Sequence, residues 1–392
     1  MHSLPPIYLD YNATTPLDPR VLETMLPYFQ QHFGNAASSQ HPWGWTASRA
    51  VEKSRQQVAG LLAAKPSEIF FTSGATEGNN WVFQSLFNQW QDSAVGGSFH
   101  ILSSSVEHSS VLKNLEALKK KGALIELVPV NSYGQVDVAE VKKRIRPDTR
   151  LMSFIWANNE IGSLNPMNEL GALAHQHKIY FHSDATQAVG KIKVNLEITK
   201  VDFLTLSAHK IYGPKGSGAL YVRSTDPRIQ LDPLILGGGQ EKGLRSGTVN
   251  VPAVVGLGWA CEFCRLEMDQ SLIRFTNMRD EFVKNLMAEI PGTKLNGHPS
   301  DRVYSNISLT MASKTVADAL PALMRLGFST GSACHSGTMT GSYVLKSIGL
   351  SQEQMASTLR LSIGRFTTAD ELNEALRLLK KAFANLQDEP NI

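Results

Sequence analysis

Between residues 69 and 222 the chain alternates short runs of β-branched and aromatic residues with stretches of helical period. This is the feature that most restricts its fold. The runs are 69–71, 100–102, 124–130, 151–156, 180–182, 203–206 and 219–222, and amphipathic stretches such as 111–121 and 169–177 lie between them. Strands joined by crossover helices form a mainly parallel sheet covered on both faces, which predicts an α/β fold. In such a fold, functional side chains belong at the carboxyl ends of strands and in the loops that follow. After Asn250 the pattern changes to long helical segments, 251–268 and 272–290, then a few strands and a closing helix over 370–386. This reads as a second, smaller α+β domain. A chain of 392 residues is long enough for two domains with a cleft between them.

Composition narrows the function classes. Apolar residues make up 42% and charged residues 19%, as in a soluble globular protein. A formal net charge of +3 without a run of basic residues argues against nucleic acid or an anionic membrane as partner. The first residues, Met1-His2-Ser3-Leu4-Pro5-Pro6, carry neither a basic leader nor an apolar core, and no apolar run is long enough to span a bilayer, so the expected location is the cytoplasm. Three cysteines cannot form a disulfide framework, so each thiol needs its own explanation.

Three strand-end loops carry the chemistry. Lys210, in Ser207-Ala208-His209-Lys210-Ile211-Tyr212-Gly213, follows directly on the run 203–206 and points into the strand-end crevice. Thr72-Ser73-Gly74-Ala75-Thr76-Glu77 follows another strand and opens a helix, which makes it an anion site suited to a phosphate. Ser183-Asp184-Ala185-Thr186-Gln187 places a carboxylate and an amide at the end of a third strand. A lysine for covalent capture of an aldehyde, an aspartate to keep a pyridinium nitrogen protonated, and a helix end for a phosphate together describe a site for pyridoxal 5'-phosphate.

With these loops in place, the sequence resembles the class V aminotransferase-like group and, within it, the cysteine desulfurases of the NifS/IscS type. The resemblance runs nearly end to end, through Tyr8-Leu9-Asp10-Tyr11-Asn12-Ala13-Thr14-Thr15, Glu107-His108, Asn158-Asn159-Glu160-Ile161-Gly162, Gly237-Gly238-Gly239-Gln240-Glu241, Arg245-Ser246-Gly247-Thr248, Gly331-Ser332-Ala333-Cys334 and Arg360-Leu361-Ser362-Ile363-Gly364. It implies fold type I of the pyridoxal-phosphate enzymes, with a mainly parallel seven-stranded sheet. Residues 16–259 would form the large cofactor domain, and 1–15 with 260–392 the small one.

The roles it implies are residue by residue. Lys210 holds the cofactor, Ala75, Thr76, Ser207 and His209 bind its phosphate, and Thr248 reaches the phosphate of the other subunit of a homodimer. Asp184 pairs with the ring nitrogen, Gln187 with the ring hydroxyl, and His108 stacks on the ring and carries protons. Asn159 and Arg360 orient the substrate carboxylate. Cys334 would take sulfur from L-cysteine as a persulfide, leaving L-alanine, for delivery to an acceptor protein such as an iron–sulfur scaffold, or to tRNA thiolation. Three departures bear on this: His335 beside Cys334 resembles the selenocysteine lyases, Gly341 stands where many relatives carry proline, and the chain ends at Ile392 without the longer tail of some relatives.

The other two thiols read differently. Cys261-Glu262-Phe263-Cys264 lies inside the helical pattern 251–268, where burial raises a thiol's pKa, so both are expected to be inert core residues. Too few further ligands lie nearby for a zinc site. His175 and His177 are expected on a helix surface.

Overall fold

The computed structural model describes residues 5–93, 96–225, 229–330 and 341–383. The strands run, in chain order, β1 (Ile7–Tyr8), β2 (Ile69–Thr72), β3 (His100–Ser104), β4 (Leu124–Val128), β5 (Thr149–Ser153), β6 (Tyr180–Asp184), β7 (Phe203–Ser207) and β8 (Gly218–Val222), followed by β9 (Lys294–Leu295), β10 (Asn306–Thr310), β11 (Leu326–Gly327), β12 (Ser329–Thr330) and β13 (Thr358–Ser362). The main sheet is seven-stranded, in the order β2-β8-β7-β6-β5-β3-β4. Its members from β3 to β7 pair in parallel, while β8 runs antiparallel to both β2 and β7. The connection from β7 to β8 is too short for a crossover helix, so the chain can only return antiparallel.

Alternate side chains of these strands enter two separate cores. Ile69, Phe71, Leu102, Met152 and Leu204 join one cluster, whereas Phe70, Ile101, Leu151, Phe203 and Leu220 join the other with Trp81, Phe83 and Phe87 of the helix Ala75–Asp92. The period of two thus fills both faces, as a sheet sandwiched between helices requires. Helices Ser109–Lys120 and Met167–Gln176 lie where crossovers were expected, and His175 and His177 are exposed.

A four-stranded antiparallel sheet, β12-β13-β10-β9, and the helix Ala369–Phe383 build a further core that includes Ile7 and Leu9 from the start of the chain. One sequence expectation is corrected. The segments 251–268 and 272–290 are not two helices but one, Val251–Glu289. The intervening Asp269-Gln270-Ser271 contains neither Gly nor Pro, so nothing stops the helix. What changes there is the buried face: Val254, Cys261, Cys264 and Met268 pack on the main core, and Phe275, Phe282 and Leu286 on the smaller one. Among the described residues no helix is long and apolar enough to cross a membrane.

Candidate active site

The carboxyl ends of β6 and β7 and the N-terminus of the helix Ala75–Asp92 converge on a cavity of ≈ 420 Å³. Of the residues expected to act there, Ala75, Thr76, His108, Asn159, Asp184, Gln187, Ser207, His209, Lys210 and Arg360 all line it. Thr248 does not, and stands exposed on a separate loop. Cys334 lies outside the described residues.

Lys210 ends a single 3-10 turn after β7, and it lines the cavity. Its Nζ donates to the carbonyl oxygens of Asn12 and Ala13, both at 2.6 Å. Burial, helped by the nearby Arg360 cation, lowers the amine from 10.5 to about 8. A lysine held this way releases its proton near neutral pH, as a nucleophilic amine must.

Asp184, the last residue of β6, is gripped from two sides. Its Oδ1 accepts the Thr186 backbone N–H at 3.0 Å, and its Oδ2 accepts from Asn79 Nδ2 at 2.9 Å. Asn79 is fully buried one turn into the helix that follows β2, and it joins several groups. Its Nδ2 also donates to Ser110 Oγ at 2.8 Å, while its Oδ1 accepts from Thr205 Oγ1 at 2.7 Å and from His182 Nε2 at 3.0 Å. His182 is therefore a neutral imidazole with its proton on Nε2, and burial drives its pKa down to about 4. Ser110 closes the circuit by lying 2.8 Å from His108 Nδ1, which also accepts the Ser110 backbone N–H at 3.1 Å. With Nδ1 accepting, His108 carries its ring proton on Nε2.

At the helix end of the cavity Ser207 Oγ accepts the first helical N–H, that of Ala75, at 2.8 Å. Burial, then the neighbouring lysines, holds His209 at about 4, so it stands neutral. On the opposite wall Arg360, from β13, donates through Nη2 to Asp10 Oδ1 at 2.8 Å and Ser329 Oγ at 2.7 Å, and through Nη1 to the Asn159 carbonyl at 3.0 Å. Three buried polar atoms on this cavity wall, Asn159 Oδ1, Thr186 Oγ1 and Arg360 Nε, have no hydrogen-bond partner among the described residues. Buried polar atoms are costly unless satisfied, so the wall is shaped for a polar ligand.

Sequence reasoning had assigned no role to Asn79, His182, Ser110, Asp10 or Lys191. Asp10 and Asn12 stand in a motif that was noticed, but their partners lie some 350 positions away, at Arg360 and Ser362. The expected core thiols are in place: Cys261 and Cys264 are buried and free, and burial pushes Cys264 up to about 11 and raises Cys261 well above the ordinary thiol range.

The lysine, the carboxylate, the helix end and the unsatisfied wall fit pyridoxal phosphate, which sets the class as a pyridoxal-phosphate-dependent α/β enzyme. Residues 7–375 match the family model described as Aminotransferase class-V. The cysteine desulfurase IscS of Anaeromyxobacter sp. (strain K) is 43% identical over 98% of this chain and 94% of its own length. The cysteine desulfurase of Mus musculus is 42% identical over 94% of this chain and 80% of its own. A solved structure titled "NIFS-LIKE PROTEIN" superposes with a TM-score of 0.88 at 33% identity, covering 96% of this chain and 98% of the other. The chain belongs to the class-V aminotransferase family and, within it, to the cysteine desulfurases.

Proposed function

We propose that this chain takes the sulfur of L-cysteine as a persulfide on Cys334 and releases L-alanine. The carrying observation is that one cavity holds both the Lys210 amine and the Arg360 guanidinium, while Thr330 and Leu345, which flank the stretch containing Cys334, line the same cavity. The transfer balances without an external oxidant: the enzyme thiol and the thiol of cysteine become an enzyme persulfide and alanine, the substrate's C–S bond gives way to an S–S bond, and a proton replaces sulfur at Cβ. The relatives named above carry cysteine desulfurase names, which favours cysteine over selenocysteine.

When bound, pyridoxal phosphate supplies an electron sink that spreads negative charge from the substrate's Cα. Lys210 would hold it covalently, with Ala75, Thr76, Ser207 and His209 at the phosphate, Asp184 at the ring nitrogen, Gln187 at the ring oxygen and His108 over the ring. Arg360 would orient the substrate carboxylate through its planar fork, with Asn159 beside it. Lys210 Nζ would be the base that takes the substrate's Cα proton, since its pKa lies near neutrality. The Cys334 thiolate then attacks the substrate sulfur.

We also read the protein as a cytoplasmic homodimer that passes sulfur to an acceptor for iron–sulfur clusters or tRNA thiolation. Exposed Phe29, Phe33, Trp43, Trp45, Ile235 and Leu236 support the dimer, because a groove between Ala36-Ala37 and Gly238-Gly239 joins those two segments. Exposed Thr248 is available to complete the partner's phosphate site. The free thiols Cys261 and Cys264 suit a reducing compartment. The separate cores support two domains joined by the long helix, with residues 1–15 in the smaller one, but Ala260, Cys261, Cys264 and Met268 pack on the main core, so the division falls near residue 270 and not at 259.

Intact mass after incubation with cysteine tests the reading. Wild-type protein gains one sulfur, whereas Cys334→Ala gains none and releases no alanine. Alanine production by Cys334→Ala at the wild-type rate overturns it.

A further inference from the structure

Behind the cavity, in Gln187-Ala188-Val189-Gly190-Lys191, lies a lysine to which no role has been given. Gly190 adopts φ +75°, and a Cβ there would stand 2.7 Å from Ile211 Cγ2 and 2.9 Å from Cys264 Sγ. The tight turn sends the Lys191 side chain inward, where the residue is only 5% exposed. Its Nζ lies 2.5 Å from Gln187 Oε1 and 3.4 Å from Asn12 Oδ1, and no carboxylate pairs with it among the described residues. Burial, then Lys210 and Arg360, lowers it to about 7. A buried amine without a counter-ion is costly, and a leucine would fill the space at less expense.

The amine and the Asn12 carbonyl together set which way the Gln187 amide faces. The Asn12 carbonyl, which can only accept, takes Gln187 Nε2 at 2.8 Å, and Lys191 donates to Oε1. Asn12 is itself fixed, by the Ser362 hydroxyl at its N–H and by Ser305 Oγ at its side chain, at 2.8 and 3.0 Å. Only one amide orientation satisfies both contacts, and it leaves the second N–H of Nε2 as the polar group that Gln187 can turn to the cavity it lines.

We propose that Lys191 is a positioning residue that locks Gln187 as a hydrogen-bond donor, so that the site selects a cofactor whose ring bears an acceptor oxygen at that place. This rests on the placement of Gln187 at the ring oxygen. Without Lys191, Oε1 loses its partner, and Gln187 can turn its oxygen toward the ligand, acceptor facing acceptor.

The test strips the full-length protein of cofactor and titrates it with pyridoxal phosphate and with the analogue lacking the ring hydroxyl. The readout is the ratio of the two affinities, which cancels any general loss of binding. Lys191→Met lowers that ratio about tenfold in favour of the analogue, the size of one hydrogen bond to a strongly polarised group, and Gln187→Leu lowers it equally. Should Lys191→Met fail to fold, Lys191→Gln, whose amide ends one bond short of Gln187, gives the same fall. An unchanged ratio in the Lys191 variant beside a lowered one in Gln187→Leu overturns the role of Lys191 alone. An unchanged ratio in Gln187→Leu overturns the placement of Gln187, and this proposal with it.

Discussion

Replacing Glu107 with glutamine should make the folded protein less sensitive to alkali. Glu107 follows β3, has no exposed surface and sits in the wall behind His108. Its Oε1 accepts from Ser104 Oγ at 2.6 Å and from the Ile155 N–H at 2.9 Å, while Oε2 is buried with no partner among the described residues. Two donors saturate one oxygen, so the proton of a neutral carboxyl belongs on the other. Burial raises the group from 4.5 to about 8. Between those values the native state keeps a proton that the unfolded state has released, so the native state binds more protons and stability falls as pH rises. At about 1.4 kcal/mol per unit, the wild type should lose about 2–3 kcal/mol between roughly pH 6 and pH 8 from this group alone. Glutamine copies the neutral carboxyl and has no proton to lose. Urea unfolding of the two cofactor-free proteins, followed by tryptophan fluorescence at both pH values, isolates Glu107, because every other titration cancels in the difference. The gap between Glu107→Gln and wild type should widen by that amount in favour of the variant. A gap independent of pH, or one that narrows as pH rises, refutes the neutral carboxyl.

Asn79→Leu strands the His182 Nε2–H and the Thr205 hydroxyl, and at about 1–3 kcal/mol for each buried unpaired group it should cost the cofactor-free protein roughly 2–6 kcal/mol in urea unfolding; a cost below about 1 kcal/mol would remove Asn79 from the centre of the network. Arg360→Gln and Asp10→Asn should move Lys210 in opposite directions, because Arg360 lowers its pKa and Asp10 raises it. The pH dependence of cofactor attachment, read from visible absorbance, should shift to higher pH in the first and lower pH in the second, and shifts of the same sign would contradict the assignment. Cys264→Ala should keep turnover within about twofold of wild type, and native protein should leave Cys264 unalkylated at neutral pH, since burial keeps that thiol protonated.

How much of this was legible in the sequence depends on how local the signal is. Lys210 and Asp184 could be found because Asp184 closes a strand and Lys210 stands a single turn beyond one, and strand ends are where an α/β sheet presents its chemistry. The sheet itself was legible because short β-rich runs alternate with stretches of helical period, and those runs are apolar throughout because Phe70 faces one core and Ile69 and Phe71 the other. Asn79 was not legible, because an asparagine one turn into a helix reads as a polar surface residue until Asp184 and His182 arrive from β6 and Ser110 from another helix. The long helix was read as two because its apolar face changes partner near residue 270, and periodicity registers a change of face as a break. Lys191 was hidden for the opposite reason: nothing local distinguishes a lysine that turns inward from one that turns to solvent, and the turn depends on Gly190 packing against Ile211 and Cys264.

The charges of the site are few because its ionisable groups are mostly held neutral. Glu107 is protonated, and His182 and His209 are unprotonated, all through burial. Had Glu107 been ionised, its charge would compete with Asp184, which lies near enough to raise the Glu107 pKa. Had His182 been protonated, it would have needed an acceptor for its second N–H as well, and Ser153 Oγ, 2.8 Å from Nδ1, would have to turn its own proton elsewhere. Around the cavity stand Asp184 on one side and the Arg360–Asp10 pair on the other, with the Lys210 amine near its own pKa. A buried cavity magnifies each charge, so neutral neighbours matter as much as the charged groups themselves. They leave Asp184 without a charged Glu107 beside it, and they leave the proton on Lys210 Nζ to be set by burial together with Arg360, Asp10 and Asp184.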